Sequence, residues 1–400
     1  MARGIWTAGS GGGADLDAIT ATAADILKGK VTYVKGQDEP VEGELEIQSV
    51  VNFKAAQYSS LVLLCTWALP AKGPWSGLRI MCKQGSYPAN INDGTLFYEG
   101  AAASATKQLT AGMWYFRAWN YINTNKGRFY GGYSQASANN QQIKGQQTFT
   151  TSGTFTVPAG VRSIDVFCVG GGGGGGYNGI DAPRYDMEFG GGGGGYTKTL
   201  RISVSPGQTY AITIGNGGGI GGAGGVTSFG NLVSAAGGQP GYTYRKTSSG
   251  NSHHAGGNGG SGGGHNPNLN TSTVTYSGGS DGSDGIGSVS SGRIQGIGQH
   301  STTRAFGEDS GTLYSGGGGA CIQSTSNIYT IGPRGGLGGG GNGANAKQSG
   351  PSVIPSTAGG INTGGGGGGG SYQEASDSYR VNKAPGAAGG SGICLVRWGY

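Results

Sequence analysis

The sequence predicts a mostly β protein in three parts. These are a small N-terminal helix–hairpin module over residues 1–50, a β-sandwich over 51–146, and a glycine-rich β domain with polyglycine helices over 147–400. Three observations carry this reading. Glycine is unevenly spread: 18 of the 92 glycines precede residue 148 and 74 lie in the 253 residues from there on, which marks a domain boundary. Between 51 and 146, apolar residues recur at period two, the spacing of half-buried strands. Beyond 147, glycine tracts alternate with hydrophobic strands that a flexible linker would lack.

In the first part, Asp15 can cap a helix whose apolar residues Leu16, Ile19, Ala23, Ile26 and Leu27 fall at helical spacing, with Gly29 as the stop. Residues 30–34 and 41–45 then flank the polar turn Gly36-Gln37-Asp38-Glu39 and read as a hairpin. A unit this small cannot bury a core alone, so it is expected to dock on a neighbouring chain or another protein. The run Ala21-Thr22-Ala23-Ala24-Asp25-Ile26-Leu27-Lys28-Gly29-Lys30 resembles a short module that recurs in phage tail-fibre proteins.

The second part reads as seven strands. Residues 61–67 form an apolar run ending near Pro70, residues 78–83 alternate, and Asn92-Asp93-Gly94 turns into Thr95-Leu96-Phe97-Tyr98. Residues 109–119 supply a turn and a further strand. Trp67, Pro70, Gly85-Ser86-Tyr87-Pro88, the 93–100 turn and strand, and the Leu109 to Arg117 corner together resemble a fibronectin type III domain of the kind found in phage tail proteins. That resemblance makes Trp67 a core residue. Trp114 or Trp119, which flank Tyr115, is expected to face outward.

The third part opens with residues 148–158, which alternate aromatic and β-branched side chains around one turn. A buried strand over 161–169 runs straight into seven glycines, 170–176; a second tract covers 190–195. Strands follow over 196–204 and 209–214, joined at Pro206-Gly207, and 392–398 closes the chain as a strand. Ordering a glycine costs roughly 0.5–1 kcal/mol more than ordering an alanine, so dozens of ordered glycines imply backbone approaches that a side chain would block. A three-per-turn extended helix has no internal hydrogen bonds and pairs its amides sideways, and only glycine lets such helices pack closely on every side. Residues 170–176, 190–195, 335–343 and 364–370 are predicted rods, and 217–225 is a further candidate. Substitution at Gly173 or Gly367 is expected to harm folding far more than at a loop glycine such as Gly282.

The motif Gly153-Thr154-Phe155-Thr156-Val157-Pro158-Ala159-Gly160-Val161, the glycine run, Pro206-Gly207-Gln208-Thr209-Tyr210 and the terminal strand resemble the glycine-rich domain at the ends of phage tail-fibre and tail-tip proteins. This implies a fibre protein or adhesin whose N-terminus attaches to other tail or baseplate proteins. Its glycine-rich domain would recognise a host-surface glycan or envelope protein, as a homo-oligomer with three subunits expected. Receptor-contact candidates are Tyr177, Tyr185, Tyr242, Tyr244, Arg245, Tyr276, Tyr329, Tyr372 and Tyr379, with Phe189 among the neighbouring loop side chains. Tyrosine among Asn, Ser and Gly gives large contact area at low entropic cost. The alternative is that these tyrosines pack over the rods or against another subunit. At the level of the whole chain, a structural tail or baseplate component is the second reading.

Enzymatic signals are weak. A polysaccharide-cutting tail spike would need paired carboxylates, and neither Asp181, Asp186 and Glu188 nor Asp281, Asp284, Glu308 and Asp309 has spacing that sets two across a sugar. Residues 280–285 lack the remaining ligands of a calcium loop, and His253 and His254 make no His-x-His metal line. No cofactor, no metal and no catalytic residue is therefore expected. The net charge of +6 is scattered without a basic stripe, which argues against nucleic acid. The cysteines at 65, 82, 168, 321 and 394 form no CxxC pair and read as buried thiols. Residues 1–10 lack a signal-peptide core and no stretch approaches 18 apolar residues, so the expectations are cytoplasmic synthesis in a host, a virion-tail destination and no membrane span.

Overall fold

A computed structural model describes residues 21–23, 26–37, 39–71, 73–125, 127–176, 187–242, 256–264, 303–324, 334–347, 353–374 and 381–400. The chain divides into two compact units, Met1–Ile143 and Lys144–Tyr400. Both are built of strands, with no α-helix among the described residues.

In the first unit the predicted helix is absent from its described part. Leu27 and Lys28 instead bridge Leu45 and Gly43 in parallel. The Leu45 amide donates to Ile26 O at 2.8 Å and the Lys28 amide to Leu45 O at 2.9 Å. A short isolated helix is marginal in water, and this cross-chain pairing replaces its internal bonds. Gly43 permits the approach, since a Cβ there would lie 2.2 Å from Ile26 O. Strand β1 (Val31–Thr32) pairs antiparallel with β2 (Val41–Glu42) over two residues each.

Seven longer strands follow: β3 (Val51–Ser59), β4 (Val62–Ala68), β5 (Gly77–Gln84), β6 (Thr95–Gly100), β7 (Ser104–Gln108), β8 (Gly112–Thr124) and β9 (Gly127–Asn140). They form two sheets, ordered β3-β4-β7 and β6-β5-β8-β9. Period-two alternation sends Leu63, Cys65 and Trp67 from one sheet and Leu78, Ile80, Cys82, Phe116 and Ala118 from the other into one buried core. Phe97 meets Phe116 edge-on at 5.2 Å, a favoured aromatic geometry. Trp67 is buried, as expected of a core residue. Neither Trp114 nor Trp119 faces solvent. Trp114 shares the inward row of Phe116 and its indole N–H donates to Thr110 O at 2.9 Å. Trp119 lies outside that core cluster but is covered by Tyr133, its β9 register partner, at 6.0 Å between rings. Alternation along one strand says nothing about what the next strand lays over it.

The second unit contains β10 (Gly145–Phe149), β11 (Gly153–Thr156), β12 (Ser163–Val169), β13 (Met187–Glu188), β14 (Thr197–Ser203), β15 (Thr209–Thr213), β16 (Thr227–Phe229) and β17 (Val233–Ala235). After these come β18 (Ile322–Ser324), β19 (Asn345–Lys347), β20 (Val353–Ile354), β21 (Ser371–Glu374), β22 (Val381–Ala384) and β23 (Ile393–Trp398). Two four-stranded sheets, β10-β23-β12-β14 and β11-β15-β16-β17, carry most of its apolar side chains. The β14–β15 turn favours Gly207, whose φ of +79° lies in the left-handed region that glycine adopts without steric cost. On the first sheet, buried Asp165 accepts Arg201 Nε at 2.6 Å and Nη2 at 2.9 Å, and Arg397 Nε at 3.3 Å.

Beyond β12 the backbone itself becomes the core. Residues 170–176 are all buried and extended, and their amides point to three neighbours in turn. Gly170, Gly173 and Gly176 donate to the carbonyls of Tyr196, Gly193 and Gly190; Gly171 and Gly174 to Gly225 and Gly222; Gly172 and Gly175 to Gly390 and Ala387. The carbonyls of the same rod accept from three others: Gly171 and Gly174 from Gly238 and Gly241, Gly172 and Gly175 from Gly218 and Gly221, Gly173 and Gly176 from Gly367 and Gly370. All these bonds measure 2.8–3.2 Å. Donors meet falling residue numbers and acceptors meet rising ones, so the rod has three antiparallel and three parallel neighbours among the described residues. A partner that recurs every third residue is what a threefold extended helix dictates. Two predicted rods are each a pair instead. Residues 217–225 fold back at Gly221, with Gly225 N–H reaching Asn216 O at 2.8 Å, and 335–343 turn at Gly338 and Gly339.

A Cβ at Gly173 would lie 2.0 Å from Gln239 O, and one at Gly367 2.0 Å from Ala387 O. Both obstacles are backbone held by neighbouring rods, so relief requires moving a rod. Gly173→Ala and Gly367→Ala are therefore expected at or above the upper end of the ~1–3 kcal/mol cost of overpacking, a fall of roughly 6 °C or more in melting temperature. Gly219 is exposed with open space around its Cβ position, so Gly219→Ala is expected to stay within about 2 °C of the parent. Gly282 lies outside the described residues. Thermal unfolding of the three variants checks this.

A second expectation concerns acid. The Arg201 hydrogen bonds, followed by Arg397, hold the Asp165 carboxyl below its ordinary range against the opposing effect of burial. A folded pKa below the unfolded value means the contribution is complete above about pH 4 and is lost as pH falls through the folded value. Asp165→Asn should thus melt below the parent at pH 6, and the gap should narrow as pH drops below about 4. Melting curves across pH 2–6 measure it.

Candidate functional site

The directions of the rods decide where the chain leaves them. The central rod rises from β12 to Gly176, which stands level with Gly190 and Gly370. From there the chain departs into 177–186 and returns at β13. Residues 238–241 run parallel to it, so departure at Tyr242 into 243–255 is at the same end, and Gly257 returns level with Gly191. Residues 261–264 rise again, placing Gly264 beside Gly191 where the chain leaves for 265–302. Residues 315–321 rise from the level of Gly195 to that of Phe189, and β18 follows. Residues 341–344 climb beside 366–369, so β19 and β21 also start at that end. The small sheets β13-β21-β22 and β18-β19-β20 cap it.

Six departures from the lattice thus share one end. The chain enters this unit through β10 and finishes through β23, paired with each other from Gly145↔Trp398 to Phe149↔Cys394 at the opposite end. These departures and the β10–β23 pair are separated by the length of the rods.

Of the nine candidate contact residues, two fall within the described chain. Tyr242 is 59% exposed at the loop-bearing end. Tyr372 stands in β21, opposite Met187 on one side and Lys383 on the other. Tyr177, Tyr185, Tyr244, Arg245, Tyr276, Tyr329 and Tyr379 lie outside the described residues, as do Asp181, Asp186, His253, His254, Asp281 and Asp284. Tyr177 directly follows Gly176, and Tyr244 and Arg245 begin shortly after Tyr242. Phe189 is not a contact side chain: it is buried, its amide donates to Cys321 Sγ at 3.2 Å and its carbonyl accepts the Cys321 amide at 3.1 Å. A large apolar ring at the mouth of a glycine rod fills the space where backbone packing stops. Tyr314, which the sequence did not single out, is buried against Phe167 at 5.4 Å.

At the other end lies a cluster of ion pairs, in which Arg201 and Arg397 both meet Asp165. Arg397 joins Asp165 to Glu308, and its guanidinium lies 3.9 Å from the Phe306 ring centre and 4.9 Å from that of Tyr400. Glu308 is thereby held in an ion pair with Arg397. Among the described residues no group of three or more His, Cys, Asp and Glu gathers as a metal-ligand set, and no helix is long and apolar enough to cross a membrane.

No curated protein matches the sequence. Among solved structures, the chain is similar to the crystal structure of chicken CNTN1 FN1–FN3 domains, at 7% identity over 52% of this chain and 71% of that one, with a TM-score of 0.20. A likeness that slight does not bear on the fold. The family model of the glycine-rich domain matches residues 146–399, well over half the chain, and with its interior built from glycine backbone the protein belongs to that family.

Proposed function

We propose that this chain is an adhesion protein of a phage-type tail, a fibre or its tip, in which the loop-bearing end of the glycine lattice recognises a host cell surface. The observation that carries the reading is the polarity of the second unit. Six chain segments rich in Tyr, Asn, Ser and Gly depart from one end of a close-packed backbone scaffold, and the chain enters and finishes at the other. A polyglycine II lattice of this kind adds no side chains of its own and serves to hold variable loops in fixed relative positions. The three-plus-four strand order of the first unit supports reading it as a fibronectin type III-like spacer. The N-terminal residues would attach to other tail or baseplate proteins, and the assembled fibre would be a homo-oligomer, a trimer in this reading.

A structural role in assembly is the second reading. Leu337 and Ile361 are 73% and 78% exposed on two turns tied together by Gly360 N–H to Gly339 O at 2.7 Å, away from the loop-bearing end. Exposed apolar pairs of this kind suit contact with another subunit.

Cell binding separates the two. The full chain, fluorescently labelled, is incubated with a panel of bacterial strains, beside a variant in which 243–255 is replaced by a short Gly-Ser linker and Tyr242 by Ser. Binding to at least one strain is expected, weakened by about ten-fold or more in the variant at unchanged melting temperature. Binding to none, or equal binding by both proteins, would remove the adhesin reading. Self-association lost in a Leu337→Ser, Ile361→Ser double variant would favour the structural one.

A further inference from the structure

All five cysteines are buried free thiols, but two of them face each other. Cys168 in β12 and Cys394 in β23 are direct register partners, and the Cys168 thiol donates to Cys394 Sγ at 3.5 Å. Directly opposed residues of an antiparallel pair have Cα atoms about 4.5–5.5 Å apart, inside the roughly 4.4–6.8 Å that a disulfide spans. The sulfurs would need to approach by about 1.5 Å to reach the ~2.05 Å of a bond, a small side-chain adjustment. The pair also sits at a telling place. β12 leads into the central rod and β23 is the last strand, so a bond there would close a loop spanning 226 positions, which contains the entire lattice and all six loop departures.

We propose that Cys168 and Cys394 are a cross-link site that forms a disulfide when the protein meets a thiol-oxidising medium, clasping the strand that leads into the lattice to the last strand of the domain. With oxidised glutathione as oxidant, one cysteine thiolate attacks a glutathione sulfur and expels one glutathione thiolate. The second cysteine thiolate then attacks the protein-bound sulfur and expels the other. Two protein thiols and one oxidised glutathione become one protein disulfide and two reduced glutathiones, the two thiol protons passing to the departing thiolates. The paired Cys168 thiol, followed by burial, disfavours the thiolate of Cys394 in the closed sheet, so the reaction proceeds through brief opening of the β12–β23 pair and is slow. The remaining cysteines are placed differently: Cys65 and Cys82 lie in the core of the first unit, and Cys321 accepts the Phe189 amide.

The test is to incubate the full chain with oxidised glutathione for hours to days, block free thiols, and map peptides by mass spectrometry without reduction. A peptide pair joined through Cys168 and Cys394 is expected, with a rise in melting temperature of roughly 5–15 °C that dithiothreitol reverses. Cys394→Ser and Cys168→Ala should each lack both the linked peptide and the reversible rise. If the linked peptide never accumulates, even in mild urea where the sheet opens more often, the proposal is wrong. A linked peptide that leaves the melting temperature unchanged overturns the clasp equally.

Discussion

A buried peptide group has to find a hydrogen-bond partner, and a segment in a threefold extended conformation has none of its own. That single requirement organises the glycine-rich unit. Each amide and carbonyl of residues 170–176 must look sideways, the threefold repeat points them at three neighbours apiece, and those neighbours must come close enough to bond at 2.8–3.2 Å. No side chain fits between partners at that distance, as the 2.0 Å clearance at Gly173 makes plain. Composition, conformation and packing are therefore one constraint seen at three levels. The entropic cost of ordering glycine is offset by a dense set of backbone bonds shielded from water.

Architecture follows from the same rule. Because neighbours are both parallel and antiparallel, the chain can pass up and down through the lattice with turns of any length, and what lies between rods is free to vary. The sheets do the opposite work. β10-β23-β12-β14 carries the conventional apolar core and the Asp165–Arg201–Arg397 cluster, and it anchors the first rod directly through Val169 to Gly170. One end of the unit is held by side chains and the middle by backbone, and at the far end the chain leaves the lattice beside two small sheets.

Much of this was legible in the sequence. The jump in glycine content near 148, the period-two strands on either side of it, the Pro206-Gly207 turn and the rods at 170–176, 190–195 and 364–370 can all be read from residue types. Other features could not. Glycine carries no pattern that distinguishes a straight rod from one that turns, so the reversals at Gly221 and Gly338 left no trace. The neighbour each rod chooses is a register, and uniform tracts do not encode register. Ile26 and Leu27 have helical spacing yet pair with residues 43–45, because a contact across the chain outweighs a weak local preference. The candidate tyrosines were visible as composition, but that the chain leaves the lattice repeatedly at one end depends on rod direction, which only the hydrogen bonds reveal.

Amide hydrogen exchange tests the central constraint most directly. If the rods are a hydrogen-bonded interior, the amides of residues 171–175 exchange slowly, within about a factor of ten of those in β12, and lose protection together with that strand as denaturant is added. Exchange of those glycine amides at the rate of an unstructured peptide, while β12 stays protected, would contradict it and leave the tracts as linkers between strands.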